Sequence, residues 1–102
     1  PYEKMAEYIW YSETSNPLDP RGYNEAHKLH PHYLGKYDDT SYFFAYDPES
    51  TTSLDREYLG TIPTGCAAGS YVIYAEICLL DEKDLLTHNI TFKKIARDIS
   101  RI

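Results

Sequence analysis

An acidic residue, Glu76, stands inside an otherwise apolar run of ten residues, 71–80. A carboxylate on a buried strand is costly unless it is paired or solvated. In open α/β sheets, ligand sites lie beyond the carboxyl ends of strands, and Glu76 falls in the later half of this run. Glu76 is therefore a candidate functional acid, and pairing with a Lys or Arg of the neighbouring strand is the alternative interpretation.

Other arrangements of nucleophiles and bases do not fit known site patterns. A metal-dependent nuclease site would place a Lys two residues after the acid, to polarise a water molecule, but Glu76 is followed by Ile77 and Cys78. Neither Cys66 nor Cys78 is associated with a particular His, which argues against a thiol protease. The glycine-containing segment 65–69 leads into a strand, whereas a phosphate-binding loop should lead into a helix.

Three histidines within six residues are a second candidate for chemistry. His27, His30 and His32 lie near Glu25, and such residues at such spacings can hold a metal ion. Pro31 separates two of the histidines at the start of a predicted strand, and no second cluster of ligands completes the shell. We therefore predict histidines at the surface and neither a metal nor another cofactor in this chain.

The two cysteines, Cys66 and Cys78, lie far apart and suggest no disulfide framework, which favours a reducing, cytoplasmic location. No apolar run reaches 18 residues, so we expect no membrane span. The chain begins at Pro1 rather than Met, and we expect it to be part of a longer protein.

Charge is unevenly distributed along the 102 residues, whose formal net charge is −6. Residues 92–102 contain four basic residues and one acidic residue, which leaves −9 on the remainder. An acidic body argues against DNA binding by the whole domain, because phosphate contacts depend on Lys and Arg. The basic tail is a candidate contact with duplex DNA, and a solvated strand edge is the alternative. Its basic residues are Lys93, Lys94, Arg97 and Arg101.

The hydrophobic pattern predicts the elements that must position these residues. Helical spacing covers residues 3–13, and a polar, proline-containing linker follows to about residue 30. Aromatic runs on either side of residues 38–40 predict a β-hairpin. The later elements are a helix over 53–59 capped by Thr52, a strand over 71–80, a helix between Asp81 and Asn89, and a strand over 90–96.

The run 71–80 does not alternate between apolar and polar residues, so we expect a strand buried on both faces. The order of elements predicts an α/β fold with a parallel β-α-β-α-β core, a hairpin at one edge and a leading helix. We divide the chain into a leading helix and linker, 1–30, and a small α/β module, 31–102. The 11 tyrosines indicate extensive half-buried surface or a face that packs against a partner.

Several segments in the later part of the chain resemble one protein family. They are residues 42–49, 51–55, 58–62, 71–80 and 88–99. This series resembles the C-terminal region of bacterial site-specific DNA adenine-N6 methyltransferases, of the kind found as modification subunits of type III restriction-modification systems. Residues 2–8 are similar to the helix that leads into this region in such proteins. The chain departs from the family pattern at Glu76-Ile77, where Asp-Asn is expected, and at Ala96, where Pro is usual.

The resemblance implies that the catalytic chemistry lies elsewhere in the full-length protein. Such methyltransferases position the target adenine with an Asp-Pro-Pro-Tyr motif and hold S-adenosylmethionine with a Phe-x-Gly-x-Gly motif, and neither string occurs here. The chain is therefore expected to be a non-catalytic accessory module that assists subunit assembly or DNA engagement. The implied partners are the remainder of the methyltransferase, the restriction subunit, a second methyltransferase copy or duplex DNA.

Two other functions stay open at this point. A small stand-alone α/β hydrolytic or nuclease-like enzyme would use Glu76 with Asp47 or a histidine, and it predicts a concave pocket around Glu76. A protein-binding domain unrelated to methylation would suit the acidic charge and the tyrosine content.

Overall fold

The computed structural model describes residues 1–96. Four α-helices occur in this range: α1 (Tyr2–Thr14), α2 (Pro20–Leu29), α3 (Arg56–Gly60) and α4 (Glu82–Thr87). Six strands accompany them: β1 (Tyr33–Tyr37), β2 (Thr40–Phe44), β3 (Ser53–Leu54), β4 (Ser70–Ala75), β5 (Ile77–Cys78) and β6 (Ile90–Lys94). One turn of 3₁₀ helix spans Thr64–Cys66.

Four of the strands form one mixed sheet in the order β1-β2-β4-β6. β1 and β2 are antiparallel, while β4 is parallel to both β2 and β6. β3 and β5 pair in a separate two-stranded sheet. The predicted α/β class is thus confirmed as a mixed four-stranded sheet with four helices in the described range. The exact β-α-β-α-β order is not confirmed, because the two short strands β3 and β5 are inserted into it.

Strand β4 lies between β2 and β6, and its two faces enter two different cores. Ile73 and Ala75 are fully buried in the first core. Val72 and Tyr74 pack against the second core, which α1 covers with Met5 and other apolar residues. The missing alternation in β4 therefore reflects cover on both faces, as predicted.

Neighbouring residues of β2 supply the largest fully buried side chains of the two cores. Phe43 belongs to the first core and Phe44 to the second, and neither has exposed surface. Successive side chains of a strand point to opposite faces, so one dipeptide fills both layers. Burying each ring contributes about 1.5–3 kcal/mol relative to leaving it in water.

The predicted strand 71–80 ends earlier than its apolar run. β4 stops at Ala75, and the chain passes through Glu76 into β5, which pairs with β3 instead of the main sheet. The backbone N–H of Leu79 then donates to the carbonyl of Leu54 at 2.9 Å. Leu79 and Ile77 are exposed, so the second half of the run is apolar without being a buried strand.

The predicted hairpin is confirmed. β1 and β2 are joined at Asp38 and Asp39, whose φ angles are 50° and 60°. Two successive residues with positive φ match the twist of the flanking strands, as in a type I′ turn, and Asp tolerates this conformation better than most residues.

The segment expected to be irregular up to residue 30 instead contains α2. Asp19 caps this helix by accepting a hydrogen bond from the N–H of Gly22 at 3.0 Å. Pro20 occupies the first helical position, where its missing N–H has no cost. Within the helix Ala26 is buried and Tyr23 is half-buried against the second core, so its apolar face is short and is set among residues typical of a linker.

The helix predicted over 53–59 begins later than expected. Asp55, and not Thr52, is the N-cap, and it accepts from the N–H of Tyr58 at 2.7 Å. The residues assigned to the first turn form β3 instead. α4 begins as predicted, because Asp81 accepts from the N–H of Asp84 at 2.8 Å. Asn89 follows α4 in the left-handed conformation, with a φ of 55°.

We predict that Gly35→Ala destabilises the protein by about 1–3 kcal/mol. Gly35 has a φ of 136°, and an added Cβ would lie 3.2 Å from the Trp10 ring. Chemical denaturation measures the change. Gly60→Ala is the matched control, since nothing lies within 4 Å of its added Cβ and it ends α3. The control should be neutral or stabilising by up to about 1 kcal/mol. Equal effects of the two substitutions on stability would contradict the backbone conformation assigned to Gly35.

Candidate functional site at the carboxyl edge of the sheet

The candidate residues gather at one edge of the main sheet. Because β2, β4 and β6 are parallel, their carboxyl ends lie together, and this edge is where open α/β sheets place ligand sites. The antiparallel β1 begins at the same edge, where the carbonyl of His32 accepts from the N–H of Phe44 at 2.8 Å. The edge therefore brings His30, His32 and Glu76 to the same end of the sheet.

The side chain of Glu76 is bound to the backbone of the β2–β3 connection. One carboxylate oxygen accepts from the N–H of Thr52 at 3.2 Å, and the Thr52 hydroxyl accepts from the N–H of Glu76 at 3.3 Å. The N–H of Ile77 donates to the carbonyl of Thr52 at 3.1 Å. Glu76 is buried, with 5% of its surface exposed. These bonds fasten the end of β4 to the start of β3.

The two lysines of the basic tail that lie in the described range are engaged with the protein. Lys94 donates to the main-chain carbonyl of Glu76 at 2.8 Å. Lys93 forms an ion pair with Glu13 of α1 at 2.6 Å, and the hydroxyl of Tyr74 donates to the same carboxylate oxygen at 2.6 Å. A lysine of the neighbouring strand thus reaches the main chain of residue 76, and pairing of a basic residue with the Glu76 carboxylate itself stays a prediction.

Arg97 and Arg101, the other candidate DNA contacts, lie outside the described residues.

Burial raises the pKa of the Tyr74 hydroxyl, and the hydrogen bond to Glu13 adds to the rise. Tyr74 is therefore a neutral donor that helps to hold Glu13 beside Lys93. The three groups tie α1 to the adjacent strands β4 and β6.

His30 is buried and both of its ring nitrogens have partners, so the prediction of a surface position is wrong for this residue. Its Nδ1 accepts from the N–H of His32 at 3.0 Å, which places the ring proton on Nε2. Nε2 then donates to the Thr61 hydroxyl at 2.9 Å, and Thr61 donates to the carbonyl of Tyr58 at 2.6 Å. The ring therefore links the start of β1 to the end of α3.

His32 and Tyr58 form a second polar pair beside this chain of bonds. Nδ1 of His32 lies 2.9 Å from the Tyr58 hydroxyl, and the two rings stack with centroids 5.8 Å apart. Burial lowers the pKa of His32 to about 4, with His30 adding to the effect and Asp47 opposing it. Burial also raises the pKa of Tyr58. At neutral pH both groups are uncharged, and a base with so low a pKa is poorly matched to proton transfer near pH 7.

Several other candidate residues have local structural partners. Asp47 accepts from the N–H of Glu49 and from the hydroxyl of Ser50, both at 2.9 Å, and these bonds hold its pKa below the usual range. Cys66 is buried, and burial raises the pKa of its thiol, which disfavours the reactive thiolate. Cys78 donates to the carbonyl of Leu80 at 3.5 Å. Within residues 1–96, no three potential ligands lie close enough together to hold a metal ion.

Sequence reasoning missed Thr52, Tyr58 and Thr61 as partners of the candidate residues. The sequence predicts Thr52 as a helix cap, but its hydroxyl instead accepts a hydrogen bond from the N–H of Glu76 after β4. Tyr58 and Thr61 lie some 30 positions from the histidines that they contact, so no local spacing could connect them.

Comparison of the chain with protein-family models, curated proteins and solved structures finds no match. Membership of the DNA adenine methyltransferases therefore stays a prediction from the resembling sequence segments. Among residues 1–96, no helix combines the length and the apolar character needed to cross a bilayer.

We predict that Glu76→Ala lowers the free energy of unfolding by about 1–3 kcal/mol, because the half-buried N–H of Thr52 loses its acceptor. Equilibrium denaturation measures the loss. Glu49→Ala removes an exposed carboxylate and should change stability by no more than about 0.5 kcal/mol. If both variants are as stable as the parent, Glu76 does not hold this edge together.

We also predict that stability falls as pH drops from about 6.5 to 4. The folded state keeps His32 neutral while the unfolded chain takes up a proton, so the contribution is complete above pH 6.5 and is lost below it. After allowance for the exposed part of the ring, we expect about 2 kcal/mol. The pH dependence of thermal unfolding should flatten in His32→Gln and persist in His88→Gln, which alters an exposed ring. The reverse pattern would exclude His32 as the source.

Proposed function

We propose that this chain is a non-catalytic accessory module of a site-specific DNA adenine methyltransferase of the type III restriction-modification class, and that it acts in subunit assembly. The sequence resemblance over residues 40–102 supports the assignment to this family. The non-catalytic role is supported by one observation. The side chains best suited to chemistry make contacts that join separate segments of the fold. These contacts are Glu76 with Thr52, His30 with Thr61, His32 with Tyr58, Lys93 with Glu13 and Lys94 with the carbonyl of Glu76.

The same contacts favour assembly over DNA engagement. A lysine that is already bound to a protein acceptor is less available to a DNA phosphate, and both Lys93 and Lys94 have acceptors within 3 Å. The Glu13 carboxylate adjoining Lys93 also places a negative charge where a phosphate would approach.

We further propose that β2, β4 and β6, with α3 and α4 between them, form two successive β-α-β units that present α1 on one side of the sheet. The parallel pairings of β4 with β2 and β6 support this arrangement. Two unbridged thiols, Cys66 and Cys78, support a cytoplasmic location for the protein.

The outer face of α1 is the surface that we assign to assembly. Tyr8 and Tyr11 are 71% and 59% exposed, and residues three apart lie side by side on a helix. Tyrosine rings are enriched at protein interfaces, where they supply apolar area and a polar hydroxyl. The resemblance identifies the helix at residues 2–8 as the one that leads into this region in the methyltransferases. An aromatic outer face on that helix is therefore suited to contact the catalytic region.

The proposal predicts complementation of a truncated enzyme. A type III modification subunit that lacks its own matching C-terminal region should regain methyl transfer to duplex DNA when this chain is added. The chain alone should transfer no methyl group from S-adenosylmethionine. Transfer of radiolabelled methyl groups measures both reactions. Methylation by the chain alone would overturn the non-catalytic assignment.

Surface variants test the assigned face. Tyr8→Ser with Tyr11→Ser should weaken complementation by about tenfold or more, because aromatic residues dominate interface energies. Leu86→Ser is the matched control, since Leu86 is 72% exposed on α4, outside this face. The double variant should fold as the parent does, and circular dichroism checks this. Equal losses in the variant and the control would exclude the α1 face as the contact surface.

A further inference from the structure

A groove runs along the junction of α1, the α1–α2 loop, α2 and β1. It consists of two hollows of about 200 and 320 Å³ that share Leu18 and Tyr23 as a common wall. Neither hollow is used by the contacts at the carboxyl edge. The two differ in chemistry, and this difference limits what can occupy them.

The smaller hollow is acidic. Glu3 and Glu7, one turn apart on α1, line it and are exposed. Neither has an ion-pair partner among residues 1–96. Their charges add to the burial that raises the pKa of the Tyr23 hydroxyl, which shows that both carboxylates act on this wall. A cation is the ligand that this hollow fits.

The larger hollow is aromatic and is rimmed by proline. Trp10 lies on the backbone of Gly35, where the glycine leaves room for the ring, and Tyr37 is 45% exposed beside it. Pro17 completes the apolar lining. Lys36 also lines this hollow, but its ammonium donates to the carbonyl of Ala67 at 2.9 Å. Aromatic-lined grooves of this kind bind extended peptides that contain proline.

The shared wall contains a polar group without a partner. The Tyr23 hydroxyl is shielded from solvent and makes no hydrogen bond within the described residues. Leaving such a group unpaired costs about 1–3 kcal/mol. Because this hydroxyl is shielded, the Tyr23 ring must shift before the hydroxyl can pair with a peptide backbone that crosses from one hollow to the other.

We propose that the groove binds an extended basic peptide, with a Lys or Arg in the acidic hollow and a proline or aliphatic residue against Trp10 and Tyr37. The net charge of −6 favours encounter with a basic segment over an acidic one. This inference is independent of the methyltransferase assignment, because it depends on the groove alone.

Trp10 is the single tryptophan of the chain, so its fluorescence reports directly on occupancy of the larger hollow. The probe is a ten-residue peptide of alternating proline and arginine, titrated at low and at high salt. We expect a saturable change in emission and weaker binding at high salt. The same peptide with glutamate in place of arginine should give no saturable change.

Paired variants separate the groove from general electrostatics. Glu3→Gln with Glu7→Gln should weaken binding about tenfold and reduce its salt dependence. Glu57→Gln with Glu82→Gln removes the same charge from exposed positions on α3 and α4 and should leave binding close to that of the parent. Tyr37→Ser should weaken binding without changing the salt dependence, since it alters the aromatic hollow alone.

The proposal would be overturned by the absence of saturable binding by the parent chain, by equal weakening in both charge pairs, or by equal binding of the glutamate peptide. If the Trp10 emission instead changes with protein concentration in the absence of peptide, and sedimentation shows a dimer, a second copy of the chain occupies the groove and the peptide proposal is wrong.

Discussion

The fold depends on β4, which, like its neighbour β2, has hydrogen-bonded neighbours on both edges and apolar residues packed against both faces. β4 pairs with β2 on one side and β6 on the other, and its alternate residues enter two separate cores. Because both faces of this strand carry apolar side chains, the rest of the chain must supply a layer over each face. α1 provides one layer. α2, α3, α4 and the 3₁₀ turn contribute to the other.

The end of β4 imposes the next constraint. A chain that leaves a buried sheet has backbone groups that need partners, because an unpaired buried N–H or C=O is costly. At Glu76 the N–H donates to the Thr52 hydroxyl and the carbonyl accepts from the Lys94 ammonium, while the Glu76 carboxylate accepts from the N–H of Thr52. The carboxyl edge is commonly a ligand site in α/β sheets, but here its polar side chains are committed to closing the fold. Exposed aromatic and acidic surfaces on α1 are then the parts of the described structure best placed to contact other molecules.

Local sequence patterns were sufficient to predict some of the elements of this structure. The hairpin followed from aromatic runs around a short acidic turn, and α4 from Asp81 and Asn89 at its ends. The cover on both faces of β4 followed from the missing alternation. α2 was missed because a proline in the first helical turn resembles a linker and because only Ala26 and the half-buried Tyr23 pack against the cores. The early end of β4 was missed because Ile77 and Leu79 are apolar yet exposed.

The site was harder to predict than the elements. Glu76 was identified from its odd surroundings, but its role depends on Thr52, which is 24 positions away. His30 and His32 depend likewise on Thr61 and Tyr58 of α3. Such partners are set by how the layers pack, and a hydrogen bond between distant segments leaves no periodic trace in a single sequence. The three-dimensional contacts give Glu76, His30 and His32 structural partners that the sequence alone does not predict.

Amide hydrogen exchange at the end of β4 tests most directly whether these polar groups hold the fold together. The account predicts that the N–H groups of Thr52 and Ile77 exchange as slowly as that of Ile73 in the centre of β4, so that all three open only in global unfolding. If Thr52 and Ile77 exchange at the rate of an exposed loop while Ile73 stays protected, the carboxyl edge is not fastened as described. The Glu76 carboxylate would then be available for chemistry.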